Sequence, residues 1–218
     1  MISENLHNIL RELPQGVKLV AVSKFHPVSV LMEAYGAGQR VFGENRPQEF
    51  AEKVPQMPSD VEWHFIGHLQ TNKLKLVLPY AALVESIDTE HLLNAVNAWG
   101  ERNGKITDIL LEVHIGAEDT KQGFGEGDIP QILGHAGQFA FCRFRGLMGM
   151  ASHTDDAEAV ADDFARIKRL FDDCRRDFPA LSDFDTLSIG MSGDWRIAVE
   201  HGSTQVRIGT SIFGAREY

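Results

Sequence analysis

The chain has 218 residues, 43% of them hydrophobic and 24% charged, which fits one globular domain with a sizeable core. A formal net charge of -10 works against nucleic acid and anionic membranes as partners. The only cysteines, Cys142 and Cys174, have no metal-like spacing, which excludes a disulfide scaffold and points to a reducing compartment.

Met1-Ile2-Ser3-Glu4-Asn5 has neither the basic nor the apolar region of a secretory signal, and every apolar run is too short to span a bilayer. The expectation is a cytoplasmic protein. An apolar spacing of Ile2, Leu6, Ile9, Leu10 and Leu13 predicts a helix over 2–13, ahead of a buried strand at 17–22 (VKLVAV). That strand runs into VAVSKFHP, which places Lys24 just past its end. Further strands are predicted at 40–43, 61–66 and 82–87, followed by a helix over 88–103 opened by Asp88-Thr89.

The pattern continues with strands at 107–115 and 140–148. A long helix over 155–178 then aligns Val160, Phe164, Ile167, Phe171, Cys174 and Phe178 on one face, which makes Cys174 a small core residue. Strands at 185–189 and 204–208 flank a helix at 194–201. Eight strands alternating with helices and no dividing linker predict a single-domain (β/α)8 TIM barrel over 1–218 with an extra N-terminal helix. The doubly wound open sheet is the alternative.

Barrels carry their sites in the loops after the strands. Strand seven is followed by Gly190-Met191-Ser192-Gly193-Asp194, and strand eight by Gly209-Thr210-Ser211. Glycine lets backbone amides approach an anion, and Ser and Thr add hydroxyl donors, so both loops read as a phosphate cradle aided by following helices. Asp194 or Ser192 could equally cap the helix at 194–201. Arg207 points into the barrel if Val206 and Ile208 point out, and it then needs an acceptor.

Lys24 on the same rim, partly desolvated, would be an amine able to form an imine with a carbonyl. With the cradle it matches what pyridoxal 5′-phosphate requires. Its position alone also fits a solvated strand terminus paired with Glu44 or Asp88. His64 and His68 are spaced i, i+4, but Gly67 argues against a helix that would align them on a metal. Gly123-Phe124-Gly125-Glu126-Gly127 has the wrong spacing for a dinucleotide fingerprint and reads as a mobile lid or plain loop.

Taken in order, VAVSKFHP, FGENRPQE, WHFIGHLQTNK, RGLMGM, SIGMSGD and GSTQVRIGTSIFG resemble the YggS/PROSC family of pyridoxal-phosphate homeostasis proteins, which resemble the barrel domain of alanine racemase. The resemblance runs from about residue 2 to the C-terminus. It implies that Lys24 forms the internal aldimine, that Asn45 lies beside the ring and that Met148 contacts the pocket. Ser192, Gly193, Gly209 and Thr210 would hold the phosphate, and Arg207 would face the pyridine nitrogen. A permanent cation there keeps that nitrogen unprotonated and weakens the ring as an electron sink.

The function implied is a monomeric carrier without clear catalytic activity, which holds the cofactor as a Schiff base and delivers it to apo-enzymes. The alternative is a racemase-like enzyme on the same cofactor. Such an enzyme takes a second base from a tyrosine of an added domain, and Tyr35, Tyr80 and Tyr218 follow no strand at the expected mouth. A phosphosugar barrel using Lys24 in aldol chemistry is a third possibility. Three places depart from the family pattern: Arg46-Pro47 after GEN, His114 where Asn is frequent, and ASHTDD after Met150. These put loop contacts and partners in doubt.

Overall fold

Eight short runs pair side by side, all parallel, and the eighth closes on the first. In this computed structural model, which describes residues 1–117 and 122–214, they are β1 (Lys18–Val22), β2 (Val41–Glu44), β3 (Glu62–Phe65), β4 (Leu83–Ile87), β5 (Thr107–His114), β6 (Cys142–Met150), β7 (Thr186–Ser188) and β8 (Gln205–Ile208). The helices among the described residues are α1 (Ile2–Glu12), α2 (Val28–Gly36), α3 (Pro47–Lys53), α4 (Leu74–Val77), α5 (Glu90–Asn103), α6 (Asp128–Gly134), α7 (Ala157–Asp177), α8 (Trp195–Glu200) and α9 (Thr210–Phe213). This is the (β/α)8 barrel, with α1 as the extra helix packed against α2 and α9. The open sheet is excluded by the β1–β8 pairing.

Each strand was placed within two residues by its β-branched and aromatic runs. The largest shift is at β6, which starts and ends two residues later than 140–148. The helix ends also follow the sequence. The Thr89 hydroxyl accepts from the Leu92 amide to open α5, and Gly104 closes it in a left-handed conformation. The Asp156 carboxylate caps α7 through the amides of Glu158 and Ala159.

The apolar core lies between the outer face of the strands and the helices. The face of α7 buries Val160, Phe164, Ile167, Phe171 and Cys174 there, and Cys174 is a free, buried thiol as expected. Phe50 of α3 sits edge-on to Trp63 at 5.7 Å and to Phe65 at 5.9 Å. Inside the barrel lies a small apolar group, Leu83, Leu110 and Met148. Beside it run the buried polar side chains of His64, Glu85, Ser188, Gln205 and Arg207, unlike the branched apolar layers usual in this fold. No helix among the described residues is long and apolar enough to cross a membrane.

Phe50 is fully buried, so its truncation leaves a cavity that the flanking rings cannot fill. Phe50→Ala is expected to cost about 3–5 kcal/mol, read as a lower urea midpoint with an unchanged slope.

Candidate ligand site at the barrel rim

Parallel pairing brings the C-terminal ends of all eight strands to one rim. Lys24 follows β1 there and is half-buried. Its neighbours are held by an ionic cluster that the sequence does not advertise. The Lys53 ammonium donates to the Ser23 carbonyl (2.8 Å), to Glu44 Oε1 (2.6 Å) and to Glu49 Oε1 (2.7 Å). The Ser23 hydroxyl donates to Glu44 Oε1 at 2.6 Å, and the Phe25 amide donates to Glu49 Oε1 at 2.7 Å.

Phe25 is the one non-glycine among the described residues with a positive φ, 68°, a conformation that costs about 1–3 kcal/mol and must be imposed by its surroundings. Burial pushes the Glu44 carboxyl above its usual range, and Lys53 only partly offsets this. The Arg46 guanidinium covers the Phe25 ring at 4.4 Å, and Pro47 opens α3 at its first turn. The Arg46-Pro47 departure thus has a local structural role.

On β8, Arg207 does point inward, with 4% of its surface exposed. Its Nη1 donates to the Ser188 carbonyl (2.8 Å) and hydroxyl (2.6 Å), and its Nη2 to the Gly149 carbonyl (3.0 Å). Below it Glu85 is wholly buried. It accepts from the Ser188 hydroxyl at 2.6 Å and from Gln205 at 2.8 Å, and lies 3.9 Å from Arg207 Nη1.

His64 Nδ1 is 2.7 Å from the other side of Glu85, while His64 Nε2 is 2.9 Å from Glu62. With a carboxylate on each nitrogen, the ring donates from both and is an imidazolium. Burial opposes that charge, yet the two carboxylates together raise the His64 pKa. Glu62, bonded by His64 and Lys18, is held down at about 2. Burial alone would raise Glu85, but His64, Arg207 and Ser188 outweigh it and lower its pKa.

The loops after β7 and β8 meet. Gly190, with φ +97°, turns the chain so closely past α8 that a Cβ would stand 2.6 Å from the Ala198 Cβ. The Gly209 amide donates to the Ser192 hydroxyl at 3.2 Å, which ties the two loops together. Among the described residues, the amides of Ser192, Gly193 and Thr210 donate to no protein group. A Cβ on Gly193 would meet nothing within 4 Å. The helices that follow, α8 and α9, have only six and four residues, so these amides rather than helix dipoles are what the two loops could offer an anion. Asp194 accepts from the Met191 amide and gives α8 no side-chain cap.

The other rim residues fall into place around these. The Asn45 Oδ1 is buried without a hydrogen-bond partner among the described residues. A Cβ on Gly67 would stand 2.2 Å from the Asn45 carbonyl, so glycine there is required for the β2 and β3 loops to pass. Met148 lies deeper, in the apolar group with Leu83 and Leu110. A cavity of about 690 Å³ opens beside Gly193 and is lined by Glu112, His114, Met150, Ser152 and Met191. Of the expected ligand residues, it reaches only Gly193.

Glu62 and Glu85 escape the sequence reading, which weighs His64 only as a metal ligand with His68, although period-2 alternation along WHF and LVES places His64 and Glu85 inward. His68 bonds to Asp88 at 2.8 Å, and His64 lies inside the barrel, so the two share no site. Phe124 is pinned beside β5, its amide donating to the Glu112 carbonyl and its carbonyl accepting from the His114 amide, so of the two readings this part of the Gly-rich stretch fits the plain loop. Lys121 and its neighbours at 118–120 lie outside the described residues. In ASHTDD, the Ser152 hydroxyl bonds Asp163 at 2.6 Å and anchors the loop to α7.

Glu112 has a special electrostatic position. Burial and the nearby Asp88 raise its carboxyl to about 7, against the opposing pull of Arg207 and His68. A raised carboxyl adds stability fully below the unfolded value and loses it as pH rises through the folded one. Glu112→Gln is therefore expected to leave stability unchanged at pH 4 and to raise it by up to about 3 kcal/mol at pH 9. Urea titrations of both proteins at the two pH values check this.

Comparison with known proteins gives the lineage. Residues 1–217 match the family described as alanine racemase, N-terminal domain. The chain is 39% identical over 212 residues to a pyridoxal phosphate homeostasis protein of Vibrio alginolyticus, covering 94% of this chain and 89% of that one. It is 36% identical over 202 residues to one of Aquifex aeolicus, covering 92% and 88%. PipY of Synechococcus elongatus, solved with PLP bound, superposes with a TM-score of 0.91 at 34% identity, covering 98% of this chain and all of that one. An alanine racemase from E. faecalis shares the fold, with a TM-score of 0.74 at 16% identity, over 99% of this chain and 58% of that one. The chain belongs to the alanine racemase N-terminal domain family and, within it, to the pyridoxal phosphate homeostasis proteins.

Proposed function

We propose that this barrel binds pyridoxal 5′-phosphate at its C-terminal rim, with Lys24 providing the amine for the aldehyde, and that it stores the cofactor and hands it to apo-enzymes. The observation that carries the reading is a convergence on one rim. Arg207 brings a buried, oriented cation, Ser192, Gly193 and Thr210 bring amides without protein partners, and Lys24 lies on the same rim. The names of the relatives and the PLP-bound PipY structure support it.

The residues present fit the group. Loop amides suit a phosphate dianion, and the unpartnered Asn45 Oδ1 is an acceptor that a ligand can satisfy. When bound, the cofactor supplies an aldehyde and an electron-withdrawing ring. Arg207 carries a charge that it cannot give up, and if it faces the ring nitrogen, as the resemblance implies, it would keep that atom without a proton and disfavour carbanion chemistry. Tyr35 donates to Asp60 ahead of β3, and Tyr80 stands exposed ahead of β4, so both lie towards the opposite rim. Tyr218 lies outside the described residues.

One observation favours a second reading, a racemase-like enzyme. Glu112 faces the cavity with a carboxyl that titrates near neutrality, as a general acid–base must.

Purified protein mixed with the cofactor is expected to absorb near about 420 nm and to yield a borohydride-stable adduct on Lys24, with both signals lost in Lys24→Ala. Their absence from the wild type would refute the cofactor reading. In deuterium oxide, α-proton exchange on alanine is expected to stay at background. Exchange that disappears in Glu112→Gln would establish the enzyme instead.

A further inference from the structure

The barrel interior holds an alternating column of charge, from Lys18 and Glu62 at the N-terminal rim through His64 and Glu85 to Arg207. Its links are 2.7 Å, 2.9 Å, 2.7 Å and 3.9 Å, and the last is bridged by the Ser188 hydroxyl, which touches both ends at 2.6 Å. Resting on the cofactor reading above, we propose that Glu85, with His64 as its counter-charge, is a positioning residue that fixes the Arg207 guanidinium for the ring nitrogen of the ligand.

Three observations carry this. The first is cost. Charges inside a closed barrel lose hydration, and branched apolar side chains would fill the space at lower cost, so the column serves something other than stability. The second is convergence. Glu85 receives one donor each from β3, β7 and β8, all wholly buried or nearly so. The third is orientation. Ser188 and Gly149 hold both Nη atoms of Arg207, and Glu85 in turn holds Ser188, so the plane of the guanidinium is set from below. The other charged groups that act on Arg207 are Glu112 of β5 and Asp194 of the loop after β7, both on the rim side.

The test is a double-mutant cycle read by equilibrium binding of pyridoxal 5′-phosphate and by the induced circular dichroism of the bound chromophore. Glu85→Gln keeps the shape of the side chain and removes the charge. It is expected to weaken binding roughly tenfold and to reduce the induced dichroism, because the ring is held less firmly. In an Arg207→Gln background it is expected to weaken binding no further. If Glu85→Gln does not fold, Ser188→Ala breaks the bridge while keeping every charge, and the same non-additivity with a loss of roughly threefold is expected.

Wild-type affinity and dichroism in Glu85→Gln, or losses that add to those of Arg207→Gln, would overturn the positioning role while leaving the cofactor reading intact. Failure of the wild type to bind would overturn the cofactor reading itself.

Discussion

A guanidinium buried at the mouth of a closed barrel has to be balanced from within, because water cannot reach it there. Arg207 is in that position, and much of the interior is organised around it. Glu85 offsets its charge, His64 offsets that of Glu85, and the chain of partners ends only at Lys18 and Glu62, where both side chains are exposed again. Inward positions on β1, β3, β4, β7 and β8, those of Lys18, Glu62, His64, Glu85, Ser188, Gln205 and Arg207, are thereby given over to polar residues. Apolar burial is left to the layer between strands and helices.

A second ionic cluster lies beside the first strand and grips the backbone around Lys24. Lys53, Glu44 and Glu49 bond Ser23 on one side of it and Phe25 on the other, and they hold Phe25 in a conformation that an aromatic residue does not adopt unaided. The two systems do different work. One directs a side chain from beneath, and the other fixes a main-chain turn from outside. A reactive amine on a loop is precise only when its flanks are held in this way.

The barrel was legible because buried parallel strands read as compact runs such as VKLVAV and DILLEVHI, and because α7 carries its apolar face at regular spacing. The rim residues were legible through glycine and hydroxyl clusters after β7 and β8. Single polar residues inside apolar runs were not. Glu85 in ALVESI looks like a solvated strand residue until the closing β1–β8 pair turns its face inward. Lys53 looks like a basic residue in the last turn of a short helix, yet it is 5% exposed, and it reaches partners in two other segments, at Ser23 and Glu44. Long-range charge pairing leaves no periodicity for a sequence reading to detect. Of the two readings of the Gly-rich stretch after β5 the plain loop stands, and what could not be read was the docking of Phe124, which depends on a bridge to Val113 formed only in three dimensions.

On the proposed function, the hydrogen bond from the Gly209 amide to the Ser192 hydroxyl would give the loops after β7 and β8 an internal competitor for a phosphate. An incoming phosphate that needs that amide must displace the hydroxyl, and a departing one leaves a partner already in place. Such an exchange would reduce both the energy of capture and the barrier to escape, as the proposed handing-on of the guest requires. A cofactor meant to be passed on needs a holder that can let go.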